Sequence, residues 1–183
     1  DETSLQSVGP WPWPRTVLAE LLERIVEAGA HVVVLDVLLA ETSETDAKLL
    51  SSMDGPASIV LPYHGAGVAT IYPDEVFLPH SVFAHGDVLI DPDGKVRRIP
   101  ALLARDRVSG LPRIIDSSPG EISPCAISIE AVRQFMASQQ VADMEPMTPP
   151  IRVQDSSLGI GVIDYPLDRR GNLLFTFPPV GAP

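Results

Sequence analysis

Between residues 15 and 61 the chain alternates twice between a helical period and a short apolar run, and that alternation restricts its fold more than any other feature. In 15–28, Val17, Leu18, Leu21, Leu22, Ile25 and Val26 recur at helical spacing, with Glu20, Glu23, Arg24 and Glu27 elsewhere on the circumference. Gly29 follows as a C-terminal cap. Residues 31–36 (His-Val-Val-Val-Leu-Asp) are β-branched and read as a strand buried on both faces. Residues 42–46 offer capping chemistry, 46–53 a second helix, and 58–61 a second buried strand closed by Pro62. Helix, strand, helix, strand is the order of a parallel sheet with crossovers.

The rest is less regular. Residues 64–80 read as a long, irregular loop. Residues 86–90 and 95–103 read as two strands of a hairpin around Asp91-Pro-Asp93-Gly94, whose Asp-Gly chemistry suits a tight turn. A polar loop is expected over 105–121. An amphipathic helix is expected over 124–138, through Ile127, Ala131, Val132, Phe135 and Met136, and an exposed connector over 140–150. Strand-like runs close the chain at 151–153, 161–163 and 173–177. The expected fold class is α/β: a single domain over 1–183, with a mixed, mostly parallel sheet flanked by helices and a C-terminal β-rich portion.

Charge and motifs exclude several functions. A net charge of −11 opposes nucleic-acid binding, which depends on clustered Lys and Arg. The single cysteine, Cys125, excludes an internal disulfide and lies in an apolar run as a small buried hydrophobe. The best apolar run, 30–40, is about half of the ~20 residues that a membrane span needs, and it contains Asp36. There is no Gly-x-Ser-x-Gly, phosphate loop or His-Glu-x-x-His, so neither catalysis nor a cofactor is indicated. His64, His80 and His85, with Asp74 and Asp87, match no tight zinc spacing and read as solvated or locally hydrogen-bonded side chains.

The most specific spelling is Gly9-x-Trp11-Pro-Trp13-Pro-Arg15. Proline fixes φ and pushes the preceding residue out of the α region, so the run is expected to be extended and stiff, with Pro14 as first helical residue. It would deliver Trp11, Trp13 and Arg15 to one place ahead of a helix. Asp36 falls near the carboxyl end of its strand, where open α/β sheets place ligand crevices, and Asp1 is expected at the same edge. Arg15 then has two readings. It braces loops by pairing with Asp1 or Asp36, or it joins them in a ligand pocket with aromatic walls. Arg97 and Arg98 alternate on a strand, so one is expected to face inward and pair with a hairpin aspartate; the other reading is an anion clamp.

In order, the chain carries Asp1-Glu-x-Ser4-Leu5, the Trp-Pro run, Gly29-Ala30 leading to Leu35-Asp36, and Asp46-Ala47-x-Leu49. Gly86-Asp87-Val88, Asp91-Pro-Asp93-Gly94-Lys-Val96-Arg97-Arg98-Ile-Pro100 and Pro166-Leu-Asp168-x-x-Gly171 come after these. This set resembles the type-2 CHASE domain, a sensor of bacterial nucleotide cyclases and histidine kinases, over nearly the whole chain. The resemblance implies an extracellular input domain rather than an enzyme, with Asp1 ending a first strand that lies ahead of this sequence. It implies a periplasmic location, a membrane-anchored parent acting as a homodimer, and an unidentified small-molecule or environmental signal. The output it implies is a cytoplasmic class III adenylate cyclase or a histidine kinase. The rival from another class is a stand-alone soluble α/β protein that binds or hydrolyses a ligand.

Overall fold

The computed structural model describes residues 2–65, 70–101, 113–115, 122–139, 151–154, 157–160, 163–167 and 172–174. A short helix, α1 (Glu2–Val8), precedes α2 (Arg15–Glu27), β1 (Val32–Val34), α3 (Asp46–Met53) and β2 (Ser58–Tyr63). A 3-10 helix (Glu75–His80) then leads to β3 (Val82–His85). Next come β4 (Leu89–Ile90), β5 (Val96–Pro100), β6 (Arg113–Ile115), β7 (Ile122–Ala126) and α4 (Ile127–Ser138). The described elements end with β8 (Ile151–Gln154), β9 (Ser157–Ile160), β10 (Ile163–Pro166) and β11 (Asn172–Leu174).

The central sheet runs β1-β2-β3-β7, and every pair in it is parallel. Two antiparallel sheets, β10-β9-β8-β6 and β11-β5-β4, form the β-rich portion. The class is α/β, as the alternation of residues 15–61 implied. Both faces of the central sheet are covered. Val33, Ile59, Leu61, Tyr63 and Phe83 share one core with α2, α3 and Phe77 of the 3-10 helix. Val60, Val82 and Ala84, of opposite parity, are buried on the other side, where α4 crosses all four strands.

The helix stop at Gly29 is a Schellman motif. Gly29 (φ +92°) donates to the Val26 carbonyl at 2.9 Å, and Ala30 to that of Ile25 at 3.4 Å. Within α2 the buried residues are Leu18, Ala19 and Leu22, whereas Leu21 is exposed. Small Ala19 replaces Leu21 on the inner face because α2 packs chiefly along α3.

Several expectations need correction. β1 is not buried on both faces. It is an edge strand, shorter than expected, with Val33 buried and Val34 40% exposed. Pro62 does not close β2, because the strand continues to Tyr63. The Val60 carbonyl accepts from Leu35 on the β1 side, and that of Tyr63 from Gly86 on the β3 side. Pro62 has the parity of Val60, so its missing N–H faces the side β1 has already left.

β3 had no sequence counterpart, and the loop expected over 64–80 contains the 3-10 helix, started by Asp74 accepting from the Val76 amide at 3.0 Å. Residues 86–88 lie outside the hairpin strands. The polar loop expected over 105–121 includes β6, and residues 124–126 belong to β7 rather than to the helix. Of the terminal runs, 151–153 lies in β8. Of the second, Ile163 lies in β10 and 161–162 lie outside the described residues, and the third falls on β11, which begins at Asn172. The connector expected over 140–150 and the remainder of 173–177 beyond Leu174 lie outside the described residues.

The inner face of α4 is also not the expected apolar stripe. Ile129, Glu130, Arg133, Gln134 and Ala137 are buried, while Phe135 is 48% exposed against the His31 ring. The Glu130 carboxylate makes this possible. It accepts from Ser123 Oγ (2.8 Å), Arg133 Nη1 (2.7 Å) and Gln134 Nε2 (2.8 Å), so the charges enter the interior together.

Candidate functional site

The Trp-Pro run curls instead of extending. Gly9 (φ +104°) ends α1 with its amide on the Leu5 carbonyl at 3.0 Å. The chain bends at residues 10–12, and the Trp11–Pro12 peptide is cis. Trp13 donates its indole N–H back to the Gly9 carbonyl at 2.9 Å, which draws the segment into a loop and fixes that ring against the core. Trp11 packs edge-on to Trp13, with centroids 5.7 Å apart and planes at 67°, and remains 54% exposed. Pro14 is the N-cap of α2 rather than its first residue, at φ −56° and ψ 149°, and its carbonyl receives the Val17 amide at 3.0 Å.

Arg15 therefore opens α2, but it does not pair with Asp36. Its Nε donates to Asp46 Oδ1 at 3.1 Å and its Nη2 to the Glu41 carbonyl at 3.2 Å. The second Asp46 oxygen accepts from the Ser43 amide at 2.6 Å. Asp46 is the first residue of α3, so the guanidinium clasps the starts of two helices and the loop between β1 and α3. The carboxylate lies in the first turn of a helix, where negative charge is favourable. In the sequence Asp46 reads only as a helix start; an acid in a first turn behind Thr42 and Ser43 was the available signal.

Asp36 lies two residues beyond β1, exposed, at the carboxyl edge of the parallel sheet. That loop and the Trp-Pro run are the two walls of an open cleft of about 700 Å³, lined by residues 11–15, 36–38 and 40–43. The fold thus brings together Trp11, Trp13, Arg15 and Asp36. Asp1 lies outside the described residues.

Arg97 and Arg98 are not part of this cleft. Leu89 pairs with Arg98 and Ile90 with Val96, so Arg97 is the extra residue of a β-bulge. The bulge breaks the expected alternation, and both arginines reach the same carboxylate instead of opposite faces. Arg97 binds Asp91 at 2.9 Å and Asp93 at 2.7 Å, and Arg98 also donates to Asp91. Their guanidinium groups hold the Asp91 and Asp93 carboxyls below the usual carboxylate range.

At the end of β3, His85 is fully buried, which corrects the solvated reading. Burial pushes its imidazole down to about 4, against the opposing pull of Asp87. Asp87 receives the Gly65 amide at 2.9 Å and lies 3.4 Å from His64 Nδ1. Gly86 keeps the space between them open, since a Cβ there would sit tightly against His64 Cε1 at 3.1 Å and Pro62 Cβ at 3.3 Å. Among the described residues, no group of three or more His, Cys, Asp or Glu side chains forms a metal-binding cluster. Cys125 is fully buried, and desolvation pushes its thiol up to about 12. No described helix is long and apolar enough to cross a membrane.

Against known proteins, one sequence-family model, described as CHASE2 domain, matches residues 1–182. No curated protein and no solved structure matches this chain.

Proposed function

This chain belongs to the CHASE2 domain family, a sensor family typical of the extracellular regions of signalling receptors and not a catalytic one, and we propose that its cleft is where the signal is received. The observation that supports this reading is the convergence of Trp11, Trp13, Arg15 and Asp36 on one cleft at the carboxyl edge of a parallel sheet. Trp11 leaves more than half of its indole open at this cleft, an amphipathic surface that a ligand can cover. In this proposal the domain is periplasmic, its parent is anchored in the inner membrane as a homodimer, and the output is a cytoplasmic class III adenylate cyclase or a histidine kinase. Arg97 and Arg98 stabilise the hairpin instead of binding the signal.

A signal seated between the two walls acts on the clasp that joins them. Arg15 and Asp46 connect the Trp-Pro loop to α2 and α3, so a shift at the cleft moves both helices over the sheet. The test uses the parent receptor in membranes. Trp11→Ala and Asp36→Ala are expected to abolish regulation of the output while leaving the melting temperature of the domain within a few degrees. Full regulation in both variants would refute the assignment of the cleft, and a collapse of both melting curves would make these residues structural.

A further inference from the structure

Resting on that reading, we infer that the cleft takes a small organic cation, a substituted ammonium whose alkyl groups pack on the two tryptophans. The cleft has one cationic side chain in its lining, Arg15, and that charge is already bound to Asp46 and the Glu41 carbonyl. It offers little to an anionic ligand. The other charged lining residues, Asp36 and Glu41, are exposed carboxylates that form no ion pair among the described residues. The electrostatic balance of the walls is therefore negative, within a chain of net charge −11 that draws cations toward its concavities.

The aromatic geometry selects the kind of cation. Trp11 and Trp13 stand edge-on at 67° in one corner of the cleft, and Trp11, more than half exposed, is the ring open to a ligand there. Ring faces attract a positive charge, most strongly one whose hydration shell is weak, and tryptophan does so best. A metal ion would give up a tight hydration shell for two monodentate carboxylates, which is unfavourable. An alkylated ammonium gives up little and gains apolar contact with the indoles. The volume, about 700 Å³, is that of a small-molecule site.

Both tryptophans of the chain line this cleft, so indole emission reports on it alone. The experiment titrates the 183-residue chain with choline and tetraethylammonium at constant ionic strength, and with 3,3-dimethylbutan-1-ol, the uncharged analogue of choline. A saturable emission change is expected with the ammonium ions and not with the alcohol. Asp36→Asn should weaken it at least tenfold, and Trp11→Ala should abolish it, with Trp13 as remaining reporter. Trp11→Phe, which keeps a ring, should retain part of the affinity and covers the case in which the alanine variant does not fold. No saturation with either ammonium ion, an equal response to the alcohol, or an unchanged affinity in Asp36→Asn would overturn the inference. Loss of receptor regulation in Trp11→Ala without ammonium binding would overturn only the ligand class and leave the sensing cleft standing.

Discussion

His85 shows what a single side chain can contribute. Its ring lies against Tyr63, both nitrogens are buried, and desolvation pushes its pKa down to about 4 against the opposing pull of Asp87. In the unfolded chain the same imidazole titrates near 6.5. Between these values the unfolded state binds a proton that the folded state refuses, so stability is complete above about pH 6.5 and falls as pH drops toward 4. The loss is on the order of 3 kcal/mol. Urea unfolding from pH 7 to pH 4 should show this slope, and His85→Leu should flatten it. An equal slope in the variant would assign the pH dependence to other groups. The aspartates of the hairpin also lose stabilisation in acid, at pH values below the usual carboxylate range, and for the exposed Asp93 solvent screening keeps that contribution small.

At the scale of elements, α2 was legible because its apolar residues recur at helical spacing, although Leu21 of that stripe is exposed, and α3 because capping chemistry precedes it. α4 was located but misoriented, because Glu130, Arg133 and Gln134 are buried polar residues, and hydrophobic periodicity cannot register charges that satisfy one another. β3 was missed for a related reason: Val82-Phe-Ala-His85 is four residues long and buried throughout, so it has no alternation to detect. The bulge at Arg97 was likewise invisible, since bulges arise from pairing rather than composition. The tryptophans, Arg15 and Asp36 that line the cleft stand out in the sequence, while the partner of Arg15 depends on how a loop folds. The Glu130 network also sets a quantitative expectation. Glu130→Ala leaves the buried Arg133 without its carboxylate and should cost about 3–5 kcal/mol, whereas Ser123→Ala should cost about 1 kcal/mol. Denaturant midpoints measure both, and equal, small losses would show that the network contributes little to stability.

For the whole molecule, β2 and β3 occupy the middle of the parallel sheet, with helices on both faces, while β1 lies at its edge and β4 at the edge of the β11-β5-β4 sheet. Amide exchange should reflect this arrangement. The amides of β2 and β3 should exchange only through global opening, and those of β1, α1 and the hairpin through smaller openings. Uniform protection across the elements would contradict this division. α1 contributes no buried residue, so the Trp-Pro loop is anchored through Trp13 and α2 on its C-terminal side rather than through α1.

That dependence gives the clasp between Arg15 and Asp46 a consequence for inheritance. Every residue lining the cleft lies between Trp11 and Ser43, and the carboxylate that holds the walls together comes three positions later. The proposed recognition surface is written in one uninterrupted stretch of the chain that also carries α2 and β1, while β2, β3, the hairpin and the terminal strands are written elsewhere. A single recombination event across this stretch would therefore exchange the proposed cleft together with α2, β1 and the clasp, and the incoming helix and strand must fit the core that remains.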